Sequence, residues 1–143
     1  MPSMKTIFWI AGLASVVCVN LSLPSFLRAQ EAVDGYPNLS PLEARETIAK
    51  RAGDPRFVLL DVRTPREFAE ERIDGAVMVD YLSPSFRDEM AKLDRRKTYL
   101  VYCRTGNRTN GALKVMRELG LRDVYDVSGG ITKWKEAGFP TAR

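Results

Sequence analysis

Four short apolar runs, set between helix-length segments, constrain this chain more than any other feature. They are Phe57-Val58-Leu59-Leu60, Gly75 to Val79, Thr98 to Tyr102, and Asp123 to Val127. Each is too short to be a buried helix. The first is continuously apolar, and the third becomes so after Thr98. Such runs read as strands covered on both faces.

The segments between them carry helix signals. Ser40-Pro41-Leu42-Glu43 opens a helix, with Ser40 as cap, Pro41 in the first turn and Glu43 closing a capping box. Leu42, Ile48 and Ala49 give it an apolar side, and Gly53-Asp54-Pro55 stops it. Further helices are expected from Pro65 to Glu71, Ser83 to Leu93, Asn107 to Leu119 and Gly129 to Ala137. Strands that alternate with helices predict an α/β fold, a parallel β-sheet with helices on both faces. In such sheets ligands gather beyond the carboxyl ends of the strands. Two of those ends stand out chemically: Asp61-Val62-Arg63 and Cys103-Arg104-Thr105-Gly106-Asn107-Arg108.

The amino terminus reads differently. Lys5 precedes an apolar run from Ile7 to Val19, which Asn20, Ser22 and Pro24 then interrupt. A positive start, a run of this length and a polar break predict a secretory signal over residues 1–29. The best cleavage point is after Ala29, although Leu27 is a poor residue three positions before it. An uncleaved membrane anchor reaching Leu27 is the alternative. Residues 30–39 are expected as a linker and 40–143 as one domain. The mature chain is then exported, periplasmic or secreted.

Composition narrows the chemistry. The chain has 143 residues, two cysteines and no histidine. The missing histidine excludes Ser–His and Cys–His nucleophile pairs and every His-containing zinc site. Two cysteines cannot form a four-thiolate metal site. Loss of Cys18 with the leader would leave Cys103 with no internal disulfide partner. The formal charge is +4, and removing Lys5 and Arg28 leaves +2, too little to argue for a nucleic-acid partner.

The Cys103 loop has a distinct chemical character. A buried strand delivers a thiol to the top of the sheet, a loop with Gly106 follows, and a helix begins. Helix N-termini offer unpaired N–H groups and partial positive charge. A curled loop adds inward-pointing amides that cradle anions. Arg104 and Arg108 add full positive charges. Together these favour thiolate over thiol.

At this point the residues resemble a family. Leu60-Asp61-Val62-Arg63, Glu67-Phe68, Ile73-Asp74-Gly75-Ala76, Val101 to Arg108, Gly129-Gly130, Trp134 and Gly138-Phe139-Pro140 occur in an order similar to that of single-domain rhodaneses, over about Ser40 to Pro140. The resemblance implies a rhodanese-like fold and a thiosulfate sulfurtransferase in which Cys103 accepts the transferred sulfur as a persulfide. It implies that Arg104, Thr105, Gly106, Asn107 and Arg108 bind the substrate sulfur. Arg104 and Arg108 would attract an anionic donor such as thiosulfate, and cyanide, a thiol or a partner protein would accept the sulfur. No metal or organic cofactor is needed. Asp61 and Arg63 are expected to support the loop, Glu67 to pair with Arg63, and Trp134 to lie in the core. Arg72 stands where the family often has a histidine.

Two other functions remain open from sequence. Cysteine phosphatases also use a thiolate in an anion-binding loop, with arginine six positions on. Here that position is Thr109 and Arg108 comes at five, so the loop suits one sulfur atom better than a phosphate. The other is a non-catalytic sulfur-carrier or partner-binding module.

Overall fold

The computed structural model describes residues 35–143. The leader, its cleavage point and Cys18 lie outside the described residues. Among those described, no helix is long and apolar enough to cross a membrane.

The elements follow in the order β1 (Asn38–Leu39), α1 (Pro41–Lys50), β2 (Phe57–Asp61), α2 (Pro65–Glu70), β3 (Val77–Met78), α3 (Phe86–Ala91), β4 (Thr98–Tyr102), α4 (Asn107–Glu118), β5 (Val124–Val127) and α5 (Gly130–Glu136). The strands form one sheet in the order β1-β5-β4-β2-β3. Every pairing is parallel. The expected α/β architecture is therefore present. β4 lies at the centre and is buried at all five positions.

Alternation along the strands splits the core between two faces. On one, Leu60, Val62, Val101 and Cys103 pack with Phe86 and Met90 of α3 and Ala112, Leu113 and Met116 of α4. On the other, Leu59, Leu100, Tyr102 and Val127 pack with Ala44 of α1 and with Ile131 and Trp134 of α5. Trp134 is core, as expected, and its indole N–H donates to the Pro140 carbonyl at 2.9 Å.

Three local details depart from the sequence reading. The apolar side of α1 is built on Ala44, which is fully buried, while Leu42 is 55% exposed. Helix α3 starts at Phe86 rather than Ser83. The Ser83 and Ser85 hydroxyls instead bond each other, 2.8 Å apart, in the turn before it. Most consequentially, the end of the supposed linker belongs to the domain. Asn38 and Leu39 pair with Asp126 and Val127 as an edge strand. Tyr36, ahead of them, is 7% exposed and donates its hydroxyl proton to the Leu121 carbonyl. Two strand residues carry too little periodicity to be read from sequence, and Gly35 and Pro37 mask them.

Parallel strands end at one edge. There Asp61 at the end of β2 lies in register with Tyr102 at the end of β4, and the Val62 amide donates to the Tyr102 carbonyl at 3.0 Å. The tip of β5 runs into Ser128-Gly129-Gly130 alongside. Both chemically distinct strand ends thus meet at this edge.

Because Tyr36 fills the core, Tyr36→Ala should cost about 3 kcal/mol, in line with other buried aromatic truncations. Urea denaturation should show a lower midpoint with an unchanged slope.

Candidate functional site

Cys103 leaves β4 into a loop that closes at the start of α4. The residue is 1% exposed. Its Sγ accepts a hydrogen bond from the Gly106 amide at 3.0 Å and lies 3.1 Å from Thr109 Oγ1. Gly106 caps α4 with φ +110°, a left-handed conformation that favours glycine. The sulfur therefore sits under the N-terminus of a helix of 12 residues, where the partial charge is positive.

The outer side of the loop is held by α5. The Ile131 amide donates to the Cys103 carbonyl at 2.9 Å, and the Thr132 amide to the Arg104 carbonyl at 3.1 Å. This contact brings Gly130 against the loop backbone. A Cβ there would stand 2.3 Å from the Cys103 carbonyl oxygen, and φ is +60°, so only glycine fits. Each trans peptide points its N–H opposite to its C=O. Fixing these two carbonyls to α5 therefore turns the Arg104 and Thr105 amides away from α5.

The expected site residues sort into two groups. Arg104 and Thr105 are exposed on the loop, and Asn107 is exposed at the start of α4. Arg104 also lines a cleft of about 550 Å³ together with Arg63, Glu67, Glu71, Thr132 and Lys135. That cleft begins beside Cys103 without including it. Arg108 is turned to another task. Its Nη1 and Nη2 donate to Glu67 Oε2 at 2.6 Å and Oε1 at 2.8 Å. Its charge is matched by a carboxylate rather than left open to a donor anion.

This is also the partner that sequence reading assigned wrongly. Glu67 pairs with Arg108, not with Arg63. Glu67 also closes the capping box of α2, accepting from the Thr64 amide at 3.1 Å and the Thr64 hydroxyl at 3.0 Å. The Arg108 hydrogen bonds, with help from Thr64, hold its carboxyl down at about 2.

Arg63 is bound instead to Asp61. Asp61 is 0% exposed and Arg63 4%. Arg63 Nε lies 3.0 Å from each Asp61 oxygen, Nη2 donates to Oδ2 at 2.7 Å, and the Arg63 amide donates to Oδ1 at 2.9 Å. Nη2 also donates to the Glu71 carbonyl at 2.6 Å. The guanidinium lies 5.6 Å from the Tyr102 ring centroid. The pair thus ties the segment after β2 to Glu71 and sets the guanidinium against the ring of Tyr102, the residue before Cys103. Arg72 lies apart from the loop. It forms an antiparallel bridge with Ala142 and donates to the Arg143 carbonyl at 2.8 Å.

Three residues of this region escaped the sequence reading in their roles: Thr109, Gly130 and Asp126. Asp126 is 2% exposed, and its Oδ1 is a buried acceptor with no partner. The signal for it was present, an acid inside the apolar run Val124-Tyr125-Asp126-Val127. Among the described residues, no cluster of acids and thiols could hold a metal ion.

Glu67→Gln keeps the shape of the Arg108 partner and removes its charge. At neutral pH the substitution should lower stability by about 2 kcal/mol, the scale of a hydrogen bond to a charged group. The folded-state value of Glu67 lies below the ordinary 4.5, so its contribution is complete above 4.5 and is lost as pH falls toward about 2. Denaturation curves of wild type and variant should therefore converge across that window.

Comparison with known proteins matches this architecture. Residues 44–137, more than half of the chain, match the family model described as a rhodanese-like domain. The chain is 35% identical over 108 residues to a thiosulfate sulfurtransferase of Coxiella burnetii, covering 75% of this chain and 94% of that protein. It is 33% identical over 102 residues to an uncharacterized Synechocystis protein, covering 70% of this chain and 55% of the relative, so it spans about half of that protein's length. The crystal structure of a rhodanese-related protein from Thermoplasma volcanium superposes with a TM-score of 0.64 at 31% identity, covering 75% of this chain and 98% of that one. With a parallel sheet that delivers Cys103 into an amide-lined loop, this chain belongs to the rhodanese-like sulfurtransferase family.

Proposed function

We propose that the protein transfers sulfane sulfur from thiosulfate, or a donor of similar size and charge, to cyanide or a thiol through a persulfide on Cys103. The observation that carries this reading is the Gly106 amide directed at Sγ beneath the start of α4. The name of the Coxiella relative supports thiosulfate as donor. So does the length of the loop, in which arginine stands five positions after Cys103 rather than the six of cysteine phosphatases.

The chemistry needs only a thiolate and a good leaving group. Cys103 thiolate attacks the outer sulfur of thiosulfate, an S–S bond forms, and sulfite departs with the electron pair of the broken bond. Attack of a thiolate on divalent sulfur is fastest when the leaving group is weakly basic, as sulfite is. The persulfide then carries the negative charge on its terminal sulfur. Loop amides and the N-terminus of α4 supply hydrogen bonds and positive potential there. Cyanide or a thiolate attacks that terminal sulfur and releases Cys103. A double displacement of this kind follows ping-pong kinetics.

Arg104 is the exposed cation nearest the thiol in sequence, and it draws the anionic donor to the loop. Arg108 contributes by rigidity, because Glu67 already matches its charge. At 1% exposure Cys103 admits a compact donor better than a bulky one.

Thiosulfate should add the mass of one sulfur atom to the protein, and cyanide should remove it. Cys103→Ser should show neither change, because an alcohol is barely ionised at neutral pH. Intact-mass spectrometry reads both steps. Turnover retained by Cys103→Ser would end the mechanism. A wild type that takes sulfur from no donor would favour the non-catalytic module.

Export belongs to the same proposal. Lys5, the apolar run from Ile7 to Val19 and the polar break after it support a cleaved signal. Amino-terminal sequencing of soluble protein from its host should start near Gln30, and Met1 on that protein would contradict it.

A further inference from the structure

The charge of the domain is small in sum and uneven in space. The strands are parallel, so all begin at one end of the sheet, and Cys103 follows β4 at the other. Around the Cys103 end the charges are largely matched in pairs: Asp61 with Arg63, Glu67 with Arg108, Glu71 with Lys135. At the starting end the balance shifts. Lys97 stands immediately before β4, and Arg122 shortly before β5. Helix α4 starts beside Cys103, so its last turn brings Arg117 to this opposite end. Arg95 is fastened there as well, its Nε donating to the Leu119 carbonyl at 2.8 Å.

With Arg96, five cations gather against Asp94 and Asp123. Asp94 is bound to Arg96 at 2.9 Å, and Asp123 accepts the Thr98 hydroxyl proton. Glu118 of α4 is matched by Arg87 at 2.7 Å. Arg95, Arg117 and Arg122 are exposed, and Lys97 is half-buried. The chain enters the domain on this same face. Gly35, Tyr36 and Pro37 share a cavity of about 420 Å³ with Arg117, Leu121 and Arg122. Arg117 lies 5.8 Å from the Tyr36 ring centroid. The segment that precedes this entry carries the apolar run from Ile7 to Val19, with Lys5 and Arg28 and no acid up to Ala29.

We propose that this face docks on an anionic lipid bilayer, with phosphate headgroups meeting Arg95, Lys97, Arg117 and Arg122. A basic cluster and an apolar segment beside it are two signals that act together at membranes. The cluster belongs to the folded domain, so it is kept when a leader is cut after Ala29. Docking in this pose turns the Cys103 loop away from the surface and leaves it open to donor and acceptor. The proposal does not depend on sulfur transfer.

Sedimentation of the full chain with vesicles tests it. One set is phosphatidylcholine alone, and in the other one lipid in three is phosphatidylglycerol. The leader is common to every protein compared, so the variants isolate the face. Each Lys or Arg near an anionic surface contributes about fivefold in binding. Lys97→Gln combined with Arg122→Gln should therefore weaken binding to the anionic vesicles about thirtyfold and leave binding to phosphatidylcholine unchanged. Lys97→Arg combined with Arg122→Lys keeps the charge and should bind as wild type does. Salt at about 1 M, where screening acts within about 3 Å, should abolish the preference for anionic vesicles. Equal binding of wild type to both vesicles, or no loss in the double Gln variant, would overturn the proposal. So would tighter binding to a single-stranded oligonucleotide than to the anionic vesicles at equal salt, which would assign the face to nucleic acid. Iodoacetamide alkylation of Cys103, followed by mass on its own peptide, reads the pose. Bound protein should react as fast as free protein, and protection of Cys103 would put the contact at the wrong end. Protein that sorts to anionic vesicles yet never gains sulfur would refute the transfer reading and leave the docking face in place.

Discussion

The hold of α5 on the Cys103 loop is the contact on which the site depends. Two amides, from Ile131 and Thr132, take the carbonyls of Cys103 and Arg104. Those bonds decide which way the loop peptides face. With the carbonyls engaged outside, the loop amides are left for an anion inside. The approach is close enough to exclude any side chain at Gly130. The pair Gly129-Gly130 is therefore part of the Cys103 loop's support, although it lies 26 positions or more from Cys103 in sequence.

Ion pairs then stiffen this arrangement. Asp61–Arg63 is buried, and Glu67–Arg108 is half-buried. Removing one partner of a buried pair costs about 3–5 kcal/mol, because the survivor is left charged and unpaired. Replacing both partners by apolar groups is often neutral. The pairs are therefore better understood as fixing geometry than as net sources of stability. Glu67 shows this most clearly. One carboxylate caps α2 through Thr64 and anchors Arg108 at the head of α4. It joins two strand-end loops whose sequence positions are 41 residues apart.

Much of this was legible in the sequence, for identifiable reasons. Buried strands β2 and β4 announce themselves as apolar runs, and the capping boxes at Ser40 and Thr64 are local patterns. The Cys103 loop is one contiguous string. What escaped was either too short or too distant. Strand β1 has two residues, and its stability comes from pairing with β5, so no local pattern marks it. Arg63 and Arg108 are both candidate partners for Glu67 by charge, and only the register of β2 against β4 selects Arg108. Asp126 is an acid in an apolar run, and no local pattern shows that its carboxyl is buried.

The buried position of Cys103 raises a question of charge that amides alone do not answer. A helix N-terminus is worth about 0.3–1 kcal/mol, up to about 2 when partly buried. A hydrogen bond to a charged group adds about 1.5–3 kcal/mol. Taking one ion out of water costs several kcal/mol. These terms are of one order, so the Gly106 amide and the start of α4 matter together rather than singly. In the proposed transfer the negative charge moves outward to the terminal sulfur of the persulfide, nearer the loop amides. Those amides are turned inward because Ile131 and Thr132 hold the carbonyls of Cys103 and Arg104 on the other side. The grip of α5 on the loop therefore matters most in the loaded state, where backbone donors rather than a histidine would meet the charge.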